Sequence, residues 1–202
     1  MDSEEWDRRY TETEWIWSAD PNVWVVREAS PLAPGRALDL AAGEGRNSVW
    51  LAEHGWRVDA VDFSAVALNR ADRLAVHQGV EITTHHADVS DFAPEPAAYD
   101  LVLLSYLHLP GPEQSRVLHT AAEAARVGGT LLLVGHDVDN LEHGTGGPQD
   151  ATVLTSVEQV TGAWREHARI EYAAVERRTV RQEGMPKDGV EALDTVVRAV
   201  RE

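Results

Sequence analysis

From residue 36 onward the chain alternates short apolar, β-branched runs with longer amphipathic stretches, the pattern of strands and crossover helices in an α/β sheet. The runs predict strands over 37–40, 57–61, 81–85, 100–104 and 130–135, with helices over 46–54, 65–78 and 113–125. Five parallel strands are expected from this arrangement. The last third predicts a helix over 156–167, a strand over 170–178, a turn in "EGMPKDG" and a final strand over 192–200. The last two strands form an antiparallel pair that completes a mixed sheet.

Two regions stand outside the alternation. The first 30 residues hold Trp6, Trp15, Trp17 and Trp24, four of the seven tryptophans in the chain. After the fifth strand comes "GHDVDNLEHGTGGPQD", polar, glycine-rich and too long for a tight connection. Both are placed where they could border a ligand.

Composition narrows the classes of function. At 202 residues, 43% hydrophobic and 26% charged, the chain suits one soluble core. Its 18 basic against 34 acidic residues leave a net charge of −16, which gives no counterion-release drive toward a polyanion, so no nucleic-acid partner is expected. No run reaches the roughly 20 apolar residues that span a bilayer, and the start "MDSEEWDRRY" has no apolar h-region. A cytoplasmic location and no membrane partner follow as expectations. With no cysteine, disulfides and thiolate chemistry are excluded.

The stretch "ALDLAAGEGRNSVWLAEHGWRVDAVDFS" carries the chemistry. Asp39 lies in an apolar strand, Gly43 and Gly45 form the turn after it, and a helix starts near Arg46. A strand, a glycine turn and a helix N-terminus let a ligand approach bare backbone N–H groups. Asp62 ends the second strand, 17 residues after Gly45, where a carboxylate can accept hydrogen bonds from both hydroxyls of a ribose. A third glycine of a dinucleotide fingerprint would fall at Ser48. Asp39 would repel a pyrophosphate but can reach an ammonium group, so a nucleoside with an amino-acid tail fits better.

These residues resemble the class I S-adenosylmethionine-dependent methyltransferases, and the resemblance runs over nearly the whole chain. The family's first motif aligns on Asp39, Ala41, Gly43 and Gly45, with alanine in place of its first glycine. Asp62 matches the ribose-binding acid, with Phe63 beside it. "HADVSDF" matches the adenine-edge motif, with Asp88 and Val89. "YDLVLLSYLHL" matches the fourth strand, whose end, at Ser105 and Tyr106, faces the methyl group, and "ARVGGTLLLVGHD" matches the turn into the fifth. Within the family, "WDRRY", "GEGRNS" and the loop after the fifth strand look like small-molecule methyltransferases of the tellurite-resistance and thiopurine type.

The resemblance implies a single Rossmann-like, doubly wound seven-stranded sheet, mostly parallel with an antiparallel C-terminal strand, and helices on both faces. It divides one domain, 1–202, into a helical cap segment (1–35), a cofactor-binding core (36–135), an active-site loop (136–155) and a C-terminal helix with its strand pair (156–202). S-adenosylmethionine is the implied cofactor and S-adenosylhomocysteine its product. Tyr10 and Arg46 would join the cofactor contacts, and Trp6, Trp15 and Tyr106 would line the acceptor. His108, His136 and Asp137 fall at the carboxyl ends of the fourth and fifth strands, where they could orient or deprotonate a small-molecule acceptor. None of the nine histidines has a recognised metal-ligand spacing, so no metal is expected. A monomer or homodimer is expected. A nicotinamide-dependent oxidoreductase and a non-catalytic nucleoside-binding protein are the alternatives.

Overall fold

The computed structural model describes Asp7, Arg8, Thr11 and residues 20–180 and 190–202. Its centre is a seven-stranded sheet in the order β3-β2-β1-β4-β5-β7-β6. The strands are β1 (Arg36–Leu40), β2 (Arg57–Asp62), β3 (Thr83–His86), β4 (Tyr99–Ser105), β5 (Ala125–His136), β6 (Ala168–Val180) and β7 (Val190–Arg201). Strands β1 to β5 pair in parallel. Strand β7 inserts between β5 and β6, antiparallel to both. The five parallel strands expected from the apolar runs, and the Rossmann-like seven-stranded sheet that the resemblance implies, are therefore the ones found.

Central strands of such a sheet are covered on both sides, which is why Leu101 to Leu104 form an unbroken apolar run with every member buried. Alternate residues then serve two cores. Leu38, Leu40, Val102, Leu104, Leu131 and Leu133 pack with helices α4 (Gly111–Ala124) and α6 (Val157–Trp164). Ala37, Leu101, Leu103, Leu132 and Val134 face the opposite way, against α1 (Val23–Ala29) and α2 (Arg46–Glu53). Helix α3 (Ala65–Gln78) adds Leu74 and Ala75, which pack with Val49 of α2.

Some boundaries moved from their expected places. Strand β5 starts at Ala125, where it pairs with Tyr99, and a register shift follows in the β4–β5 ladder. Gly128 turns with φ +79, and a Cβ on Gly129 would lie 2.7 Å from the Tyr99 carbonyl oxygen. Glycine here serves a close approach inside a strand rather than its start, a distinction invisible in an apolar pattern. The expected loop over 136–155 contains the short helix α5 (Asn140–His143), a 3-10 turn (Ala151–Val153) and a bridge between Asp137 and Thr155. In the N-terminal region, Asn22 caps α1 by accepting from the backbone N–H groups of Trp24 and Val25. Trp6, Tyr10, Trp15 and Trp17 lie outside the described residues, as does the expected turn before β7.

Candidate functional site

The order of the strands reverses at β1, which has β2 on one side and β4 on the other. Open α/β sheets bind ligands at the carboxyl ends of the strands beside such a switch point. Asp39, Asp62, Ser105 and His136 lie at or near the carboxyl ends of β1, β2, β4 and β5.

Strand β1 delivers Asp39, which has no exposed surface. One carboxylate oxygen accepts from Ser48 Oγ at 2.6 Å, and the other, Oδ1, is buried with no hydrogen-bond partner among the described residues. Burial pushes its pKa up to about 7, against the Ser48 hydrogen bond and with the help of the Asp62 charge. The chain then turns through Ala41 (φ +64), Gly43 (φ +55) and Gly45 (φ +78), all in the left-handed region. Gly45 caps α2 and lies so close to α3 that an added Cβ would stand 2.5 Å from Ala71 Cβ. The Gly43 N–H points to Asp62, donating to its Oδ2 at 2.8 Å, while Ser64 N–H donates to Oδ1 at 2.9 Å. Burial raises the Asp62 pKa, and these backbone donors oppose the rise.

Ser64 Oγ in turn donates to the Asp7 carboxylate, which places Asp7 beside the start of α3. Phe63 is half-buried, and its carbonyl accepts from His86 Nε2 at 3.0 Å. Asp88 is exposed and closes a local turn by accepting from the Ser90 N–H at 2.8 Å, whereas Val89 packs into the core.

At the ends of β4 and β5 the side chains form a second group. Ser105 Oγ is buried without a partner. Tyr106, with φ +56, donates its hydroxyl hydrogen to Asp194 at 3.0 Å and accepts from Asn22 Nδ2 at 3.0 Å. The guanidinium of Arg46 lies 5.9 Å from the Tyr106 ring centre, and burial lowers its pKa. His108 and His136 stack 5.8 Å apart at an interplanar angle of 7°. Burial and the neighbouring His136 push His108 down to about 4, so it is neutral at physiological pH.

Asp137 is the expected acid-base residue that the fold directs elsewhere. Thr195 Oγ1 donates to one of its oxygens and the Asp139 N–H to the other, at 2.9 Å, so the carboxylate anchors the start of the following segment to β7. Asp39 and Asp62 both lie at the switch point, close enough for the charge of one to act on the other, and His108 and His136 come together. Sequence reasoning missed Ser48, Asn22, Trp24, Arg178 and Asp194, which hold these groups in place. Asp194 carried the signal that exposed Asp39, an acid inside an apolar run, here "ALDTVV".

A glycine turn after β1, a buried carboxylate above it and a backbone-anchored acid at the end of β2, with this strand order, make up the arrangement that the resemblance to class I S-adenosylmethionine-dependent methyltransferases implies. Residues 37–129 match the methyltransferase domain family, and that stretch belongs to it. The chain is similar to a demethylmenaquinone methyltransferase of Clavibacter sepedonicus, 34% identical over 112 residues, covering 55% of this chain and 45% of the relative. It is also similar to a ribosomal RNA small subunit methyltransferase C of Alcanivorax borkumensis, 36% identical over 70 residues, covering 35% and 21%. Among solved structures, TehB from Haemophilus influenzae superimposes with a TM-score of 0.73 at 17% identity, covering 99% of this chain and 67% of that one. The chain spans less than half the length of these two curated relatives. Among the described residues no helix is long and apolar enough to cross a membrane.

Proposed function

We propose that this protein transfers a methyl group from S-adenosylmethionine to a small-molecule acceptor. The observation that carries the reading is the pair of carboxylates at the switch point: Asp39 with a buried, unpartnered oxygen, and Asp62 latched to the Gly43 N–H. An orphaned buried oxygen is costly unless something completes it, and the ammonium group of a cofactor's amino-acid tail is a suitable donor. In this reading Asp62 accepts from the ribose hydroxyls, and Gly43 and Gly45 let the nucleoside lie against the backbone. Ala41, Arg46, Phe63 and Ser105 border it, and Asp88 and Val89 meet the adenine edge.

When bound, S-adenosylmethionine supplies a methyl group on a sulfonium leaving group. The residues of the chain then need to hold the acceptor in line, exclude water and move one proton. Alignment of this kind contributes on the order of 7–11 kcal/mol to lowering a barrier. In this reading Tyr106, His108 and His136 stand on the acceptor side, and Asp137 anchors the chain after β5 to β7. The contact between Ser64 and Asp7 supports an N-terminal cap over the nucleoside, to which Trp6, Tyr10 and Trp15 would belong.

The net charge of −16 favours a small acceptor over a polyanion such as RNA. It is equally in keeping with a soluble monomer or homodimer in the cytoplasm. The oxidoreductase alternative is not favoured, because the matched family is a methyltransferase family. The test is calorimetric titration with S-adenosylmethionine, followed by incubation with thiols, chalcogen oxyanions, halides, phenols and amines and mass-spectrometric detection of S-adenosylhomocysteine. Acceptor-dependent product is expected, and no binding of S-adenosylmethionine overturns the reading.

A further inference from the structure

Asp194 sits in β7 with no exposed surface, and its carboxylate accepts hydrogen bonds from three separate elements. Onto Oδ2 converge Trp24 Nε1 from α1 at 3.0 Å, the Tyr106 hydroxyl from the end of β4 at 3.0 Å and Arg178 Nε from β6 at 2.7 Å. Facing Oδ1 at 3.4 Å stands Nδ1 of His136, the last residue of β5, buried, within ion-pair distance of the carboxylate and, among the described residues, without a hydrogen bond of its own. Burial alone would raise the pKa of Asp194, but His136, Arg178 and Trp24 outweigh it and hold the carboxyl below its ordinary value. Asp194 is thus a fixed negative charge.

The His136 ring is confined on its other sides too. Tyr106 lies 4.8 Å away and His108 stacks on it. The edge bearing Cδ2 and Nε2 faces Gly147, where an added Cβ would come within 2.9 Å of Nε2. Tyr106 is held in the left-handed region, a conformation that persists only where surroundings over-determine it, and its bonds to Asp194 and Asn22 do so.

In a neutral imidazole the partner of one nitrogen decides which nitrogen carries the proton. We propose that Asp194 is a positioning residue: it keeps the His136 proton on Nδ1 and leaves the Nε2 lone pair to take a proton from the acceptor. This rests on the methyl-transfer reading above. In the step, the bond between the acceptor heteroatom and its hydrogen breaks and an Nε2–H bond forms. The electron pair freed on the heteroatom would make the new bond to the methyl carbon as the carbon–sulfur bond breaks, that bond's pair staying on sulfur so that neutral S-adenosylhomocysteine leaves. The positive imidazolium then lies beside Asp194, which stabilises it. His108, strongly desolvated and next to another imidazole, is a poor proton acceptor.

The experiment is long-range proton–nitrogen NMR on the whole chain, labelled with nitrogen-15 at histidine, at pH 8, with His136 assigned by its loss in His136→Gln. The wild-type protein is expected to show the Nδ1–H tautomer at His136, and Asp194→Asn to shift the population toward Nε2–H. An Nε2–H tautomer in the wild type overturns the proposal, and this result stands even if Asp194→Asn fails to fold. The same tautomer in both proteins overturns it as well. Titration of both with S-adenosylmethionine separates the two ideas. Asp194→Asn should bind within about threefold of the wild type, and a larger loss makes Asp194 a structural residue and overturns the positioning role. A wild type that does not bind S-adenosylmethionine removes the methyl-transfer reading whatever the tautomer.

Discussion

The backbone N–H of Gly43 donates to the carboxylate of Asp62 at 2.8 Å, so the last residue of β2 latches the turn that follows β1. The second oxygen holds the N–H of Ser64 at the start of α3. Asp62→Ala strands both donors, at about 1–3 kcal/mol for each buried group left unsatisfied. We expect a loss of about 2 kcal/mol or more in denaturant unfolding. Asp62→Asn keeps one oxygen for the turn while removing the charge and half of the acceptor capacity, so it should stay folded yet bind S-adenosylmethionine at least about tenfold more weakly. Unchanged affinity in calorimetry refutes the ribose role.

Asp39 makes stability and binding respond to pH in opposite senses. Burial raises its pKa in the folded chain to about 7, above the unfolded value near 4. Between those values the folded chain holds a proton that the unfolded chain has lost. Stability from this group is full below about pH 4 and declines as pH rises toward 7. Asp39→Asn should therefore melt higher than the wild type at pH 8, with the gap closing near pH 4. The cationic cofactor prefers the carboxylate, so affinity in the wild type should fall by up to tenfold per unit below about pH 7. Asp39→Asn should bind weakly at every pH, and a flat wild-type profile between pH 5.5 and 8 speaks against Asp39 as the ammonium partner.

Ala41 holds φ +64 without being glycine. The left-handed region costs an L-residue roughly 1–2 kcal/mol, while glycine loosens the unfolded chain by about 0.4–1 kcal/mol. Ala41→Gly should then gain up to about 1 kcal/mol and raise Tm by roughly 2–4 °C. A lower Tm in calorimetry would mean that the methyl group of Ala41 contributes packing that outweighs its backbone strain.

Gly45 is constrained twice, by φ +78 and by α3, where Ala71 Cβ would lie 2.5 Å from an added Cβ. Gly45→Ala should cost about 2 kcal/mol or more. Ala71→Gly alone should cost about 1 kcal/mol as a helix-interior glycine, yet much less in the Gly45→Ala background, where it relieves the clash. Additive effects in that double-mutant cycle would show that the backbone angle, not the contact with α3, dominates.

Ser48 shows how far local reading reached. Its place in the sequence counted against a dinucleotide fingerprint, but only the folded helix reveals its hydroxyl 2.6 Å from Asp39. Asp137 shows the converse. Its position after β5 fits an acid-base residue, yet β7 places Thr195 against it and turns the carboxylate to anchoring. Both outcomes depend on which side chain arrives from another strand, and a motif holds no record of that.

What the chain determined by itself was the α/β class, most of the strands and helices, and the two acids proposed to hold the cofactor. Apolar periodicity records burial residue by residue, and a charge set inside an apolar run is conspicuous wherever it occurs. Only the tertiary structure decided the strand order that slips β7 between β5 and β6, and with it the meeting of Trp24, Tyr106, His136 and Arg178 on Asp194. These residues lie up to 170 positions apart. Their contacts exist because hydrogen bonds act over about 3 Å, a distance set by packing rather than by neighbours in the chain.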